Sequence, residues 1–175
     1  MVGRPGPGPG SHVPETVRLN LHGHSNLSDG ELSPGELGER LAAAGIRAAA
    51  LTDHDTIDGL PAFREALGRR GVGFVTGVEL TVIDPEEGEK HILGYGFDPA
   101  SKALRDLLER IAVNRRPTYR QALSSAFDRG RSGPDAADPG GAKAGSGAPS
   151  AAEALRALHE AGGLAVLAHP VIPGK

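Results

Sequence analysis

The sequence predicts an α/β fold, and three observations carry that prediction. Short apolar runs alternate with stretches of helical period along the chain. The helical stretches start on capping signals and stop on glycine. Histidines and acids collect just past the apolar runs, and in α/β folds ligands gather at the C-terminal ends of strands. At 175 residues the chain is long enough for one domain with a sizeable core.

The elements follow in order. Residues 1–14, with their Gly-Pro repeats, cannot hold a helix or a ladder and read as a disordered tail; the domain is expected over 15–175. Val17–Leu21 is the first strand. Ser33-Pro34-Gly35-Glu36 is a helix start, with Ser33 as cap, Pro34 in the first position and Glu36 closing a capping box. Leu37, Leu41 and Ala44 then share a face, and Gly45 ends the helix. Ile46–Thr52 reads as a buried strand, and Leu60–Arg70 as a second helix stopped by Gly71. Gly73–Leu80 is a third strand, and Asp84–Glu89 an acidic turn. A fourth strand, Lys90–Phe97, begins near His91. Leu104–Phe127 is helical, with Leu104, Leu107, Leu108 and Ile111 on one face and Pro117 as a break. Residues 129–150 are a low-complexity linker or loop. Ala151–Ala161 is a last helix with Leu155 and Leu158 inward, and Leu164–Ala168 a last strand. Alternation of this kind predicts mainly parallel strands.

Composition narrows the function classes. Net charge is −3, which gives no strong pull toward duplex nucleic acid or an anionic membrane. No apolar run approaches the roughly 18 residues of a membrane helix, and the N-terminus has no apolar signal core, so cytoplasm is the default location. There is no cysteine, so any metal site must use His, Asp and Glu, which favours zinc, manganese, iron or magnesium.

Those residue types are present at suggestive positions. His22 and His24 lie two apart at the end of the first strand, so both imidazoles can point the same way, and Asp29 follows on the loop. His54, Glu79 and His169 each lie at or past the end of a predicted strand; His91 sits at a strand start. Asp53 either accepts a hydrogen bond from the His54 ring or, like Asp55, caps the next helix. His12, in the tail, and His159, mid-helix, read as ordinary polar residues.

Four stretches together, His22-Gly-His24-Ser-Asn-Leu-Ser-Asp29-Gly30, Thr52-Asp53-His54-Asp55, Gly77-Val78-Glu79 with His91-Ile-Leu-Gly, and Ala168-His169-Pro170, resemble the PHP (polymerase and histidinol phosphatase) family of metal-dependent phosphoesterases. The nearest likeness is to its nucleoside 3′,5′-bisphosphate phosphatase and short-RNA exonuclease subgroup. The resemblance covers about residues 17–170. It implies a distorted (β/α)7 barrel holding two or three divalent ions (Mn, Zn or Fe). It implies His22 and His24 on one ion, Glu79 bridging to a second, His91 and His169 completing the second, and Asp29 and His54 holding the third. It further implies a small phosphorylated substrate, a nucleotide or short oligonucleotide, hydrolysed by attack of metal-bound hydroxide. Arg115 and Arg116 resemble a basic segment that holds substrate phosphate, and arginine's planar fork suits that task.

The family also carries a later Asp-X-His pair, and no Asp-X-His occurs in this chain. The resemblance therefore implies an incomplete barrel, whose open edges favour self-association. Two alternatives stay beside the phosphoesterase reading: an inactive metal-binding fragment or interaction module, and a histidinol-phosphate phosphatase.

Overall fold

The computed structural model describes residues 17–113 and 148–170. The N-terminal tail, most of the low-complexity segment, Arg115, Arg116 and Pro117 lie outside the described residues.

β1 (Leu19–Asn20), β2 (Ala48–Ala50) and β3 (Gly73–Val75) form a parallel sheet in that order. The crossovers are α1 (Pro34–Ala43) and α2 (Leu60–Arg69). α1 starts as its sequence requires. The Ser33 hydroxyl accepts from the Glu36 amide at 3.3 Å, and the Glu36 carboxylate accepts from the Ser33 amide at 3.0 Å. After the helix, Gly45 takes a φ of +77°, a conformation open to glycine at little cost.

A second sheet contains β4 (Gly77–Asp84), β5 (Gly88–Tyr95) and β6 (Leu164–Leu167), antiparallel throughout. This corrects the expectation of mainly parallel strands. Residues 85–87 alone join β4 to β5, whereas a parallel return needs a crossover of about a dozen residues. The expected strand 73–80 is also two strands. The chain breaks at Thr76 and passes so close to β2 that a Cβ on Gly77 would lie 2.5 Å from the Leu51 carbonyl oxygen. β4 then runs on to Asp84, buried on both faces: Val78, Leu80 and Val82 enter the apolar core, while Glu79 and Thr81 alternate to the other side. His91 is therefore not at a strand start but inside β5, opposite Thr81.

Between β5 and β6 come α3, helical over 102–113, and α4 (Ala151–Glu160). Ser150 caps α4 in a second capping box with Glu153. The core joins Phe63 and Leu67 of α2, Leu80 of β4, Leu104 and Ile111 of α3 and Leu158 of α4, all fully buried. Each such side chain contributes about 1.5–3 kcal/mol through its removal from water. Leu155, expected inward, is exposed, because α4 presents Ala154, Ala157 and Leu158 instead. Leu158 sits directly over Gly94, where a Cβ would come within 2.3 Å of its Cδ2, and this contact sets the rotation of the helix. Among the described residues β1 and β6 each have one unpaired edge, and Leu19 and Leu164 beside those edges are exposed.

Among the described residues one isolated bridge links the two sheets. His54, just beyond β2, forms an isolated parallel bridge with Glu79 of β4. The Asp55 amide donates to the Glu79 carbonyl at 2.8 Å, and the Glu79 amide donates to the Asp53 carbonyl at 3.2 Å.

Candidate metal centre

Glu79 stands at this seam with its side chain 1% exposed, and five histidines close on it. Its Oε2 lies 2.8 Å from His22 Nε2, 3.1 Å from His24 Nε2 and 3.8 Å from His54 Nε2. Its Oε1 lies 3.1 Å from both His91 Nδ1 and His169 Nε2. Asp29 adds a second carboxylate, 3.2 Å from His24 Nδ1 and 3.8 Å from His54 Nε2. All seven residues singled out as ligands in the sequence thus come together. They arrive from the loop after β1 (His22, His24 and Asp29), the β2 exit, β4, β5 and the β6 exit.

Local structure holds each loop in place. The loop after β1 is anchored by Asp53, buried beneath it. The Asp53 carboxylate accepts from the Ser25 amide and hydroxyl, both at 2.6 Å, and from the Ser28 hydroxyl at 2.8 Å. The loop closes tightly: a Cβ on Gly30 would fall 2.2 Å from the His24 carbonyl oxygen. The Gly23 amide and carbonyl both bond the Thr52 hydroxyl. On the other side of His54, the Asp55 carboxylate accepts from the Thr81 amide and hydroxyl, each at 2.8 Å, so β4 is fixed two residues beyond Glu79. Asp55 has a φ of +54°, a region Asp tolerates better than most residues. The Tyr95 hydroxyl donates to the Leu21 carbonyl at 2.8 Å and ties β5 to the residue before His22.

This corrects the reading of Asp53. Its hydrogen bonds run to Ser25 and Ser28 rather than to the His54 ring, because neighbouring residues on an extended chain point opposite ways. Neither Asp53 nor Asp55 caps α2, whose N-cap is Gly59. Sequence reasoning missed Ser25, Ser28, Thr81, Tyr95 and Glu89. A signal existed for Glu89, which lies two positions from His91 on one strand.

The electrostatics centre on Glu79. Burial opposes its ionisation, but hydrogen bonds with His24, His91 and His22 and the nearby His54 ring hold its carboxyl far below the usual carboxylate range. Burial also works against a charge on His24, yet Glu79 and Asp29 outweigh it and raise its pKa. The His91 pKa is raised chiefly by its bond to Glu79, against burial. The His54 pKa is lowered by burial, which its acidic neighbours do not overcome.

The donor set suits divalent metal ions. Neutral imidazoles and carboxylates are ligands for zinc, manganese and iron. Three overlapping groups, His22/His24/Glu79, His24/Asp29/His54 and His54/Glu79/His91, each bring ligand atoms within 4.8 Å of one another. His24 Nδ1 is buried without a hydrogen bond and lies beside the Asp29 carboxylate, while its Nε2 faces Glu79. No described helix is long and apolar enough to cross a membrane.

A parallel sheet and an antiparallel sheet meeting at a carboxylate ringed by histidines define the class: an α/β protein with a candidate polynuclear metal centre. Residues 20–129 match the PHP domain family, and the chain belongs to it. It is 41% identical over 117 residues to a 3′,5′-nucleoside bisphosphate phosphatase of Chromobacterium violaceum, an alignment covering 67% of this chain and 41% of that protein. It is 40% identical over 94 residues to a 5′-3′ exoribonuclease of Haemophilus influenzae, covering 54% of this chain and 34% of the relative. The fold is similar to that of a Chromobacterium violaceum structure described as an amidohydrolase with bound SO4 and no metal. There the TM-score is 0.70 and the identity 30%, over 88% of this chain and 67% of the other. The chain spans less than half the length of either of these two sequence relatives.

Proposed function

We propose that this chain forms one PHP unit over residues 15–175, built as part of a (β/α)7 barrel, and acts as a metal-dependent phosphoesterase on a small nucleotide or short oligonucleotide. The observation that carries the reading is the division of labour on Glu79. One carboxylate oxygen faces His22, His24 and His54, and the other faces His91 and His169. That division supports Glu79 as the bridge between an ion held by His22 and His24 and an ion held by His91 and His169. Asp29 and His54 would hold a third. We expect two or three ions in all, of Mn, Zn or Fe. Divalent ions at such a centre lower the pKa of a coordinated water and neutralise charge gathering on phosphoryl oxygens. Asp53 and Asp55 keep the ligand loops in register, and Tyr95 holds the exit of β1. Arg115 and Arg116 belong to the proposal as phosphate-binding residues. Exposed Leu19 and Leu164, on the edge strands β1 and β6, support self-association. Cytoplasm is the expected setting.

The test is phosphate release from a 3′,5′-nucleoside bisphosphate by the folded chain supplied with Mn2+ or Zn2+. Release that stops on chelation is the expected result, and no release at any metal loading contradicts the activity. Histidinol phosphate in the same panel separates the alternative substrate. The absence of an Asp-X-His pair from this sequence favours a second reading, a metal-binding unit without activity of its own. Metal uptake without turnover would establish it.

A further inference from the structure

We propose that Glu89 is a positioning residue for the metal centre, turning His91 so that Nδ1 rather than Nε2 faces the ions. The inference rests on the metal-centre reading and deepens it. His22, His24, His54 and His169 all direct Nε2 at Glu79. His91 does the opposite: its Nδ1 lies 3.1 Å from Glu79 Oε1 and 3.4 Å from His169 Nε2. Its Nε2 lies 3.3 Å from Glu89 Oε1.

The strand makes this pairing. Glu89 and His91 are two residues apart on β5 and share a face, and the register Ile83↔Glu89 and Thr81↔His91 fixes both against β4. A neutral imidazole carries one N–H, and the hydrogen bond made by one nitrogen decides which nitrogen is left to bind a metal. An ionised carboxylate only accepts hydrogen bonds. Glu89 beside Nε2 therefore keeps the proton on Nε2 and leaves the lone pair on Nδ1, aimed at the centre. The described hydrogen bonds of the Asp53 and Asp55 carboxylates run to Ser25, Ser28 and Thr81. Glu89 is thus the acid whose described contact selects a histidine nitrogen from outside the ligand set.

The experiment titrates Zn2+ into the chelator-stripped full chain and into Glu89→Ala and Glu89→Gln, with binding read by calorimetry. The His91 ring nitrogens are followed by 15N NMR. Glu89→Ala weakens the tightest Zn2+ binding affected by roughly 10–100-fold, the usual loss when such a partner is removed. Glu89→Gln, whose amide oxygen still accepts from Nε2–H, stays within about threefold of the parent. The NMR expectation for the parent is Nε2 protonated and Nδ1 coordinated. Binding by Glu89→Ala within about twofold of the parent overturns the proposal. So does coordination of His91 through Nε2. Equal losses in the two variants overturn it as well, since charge rather than the hydrogen bond would then be responsible. A parent chain that takes up no Zn2+ contradicts the metal-centre reading itself, a failure distinct from the other three.

Discussion

Glu79→Gln is expected to abolish assembly of the metal centre, lowering divalent-metal affinity and any phosphoesterase activity by more than about 100-fold. Even the outer partners of metal ligands are worth roughly 10–100-fold, and Glu79 touches five candidate ligands at once. The substitution keeps the shape and removes the charge. Its second effect is on protonation in the metal-free chain. Without the carboxylate, the His24 and His91 pKa values fall back toward their ordinary value of 6.5, which NMR titration reads directly. The consequence for stability has a definite sign. The raised histidines contribute stability that is complete below 6.5 and lost as pH rises through their folded values. The depressed Glu79 contributes stability that is complete above 4.5 and lost as pH falls. The metal-free parent should therefore exceed Glu79→Gln in stability most clearly between pH 4.5 and 6.5. Equal metal affinity in the two proteins would remove Glu79 from the centre.

Asp53→Ala carries the second large effect, and it falls on folding as well as on the site. The substitution strips the Ser25 amide and hydroxyl and the Ser28 hydroxyl of a buried acceptor. Hydrogen bonds to a charged group contribute about 1.5–3 kcal/mol each, and unsatisfied buried donors add to the loss. These bonds share one acceptor and do not sum, so the expected cost is about 3 kcal/mol. In a chain of this size that lowers Tm by roughly 6–12 °C. The loop carrying His24 and Asp29 loses its anchor, so metal affinity falls too. Asp53→Asn, which keeps one acceptor oxygen, should fall between. A Tm within about 1 °C of the parent would show that the loop does not hang on Asp53.

Local features were the most legible in the sequence. Ser33-Pro34-Gly35-Glu36 encodes the start of α1 in four residues, and the structure shows the full capping box there. Gly45 and Gly71 mark helix ends for the same reason, with φ of +77° and +66°. His22, His24, His54 and His169 were legible because each follows a short apolar run, and the fold gathers the exits of those runs, whereas Glu79 and His91 lie within β4 and β5. Sheet pairing was less legible, since a strand's partner is chosen at long range. The link of three residues between β4 and β5 still carried the needed information, because it is too short for a crossover. Side-chain direction failed at Asp53 and Leu155. Sequence adjacency to His54 says nothing about which way a carboxylate turns, and the rotation of α4 depends on Gly94 of another element. The clamp between Asp55 and Thr81 needed the placement of the β2 exit against β4, strands of different sheets.

The proposed polynuclear metal centre gathers seven residues from five parts of the chain around Glu79. Elemental analysis tests it most directly: the folded chain is loaded with Mn2+ or Zn2+, freed of excess ion, and its metal counted per chain. The three overlapping ligand groups predict about two to three ions per chain, falling to one or none in Glu79→Gln. About one ion or fewer in the parent, or an unchanged count in the variant, would contradict it.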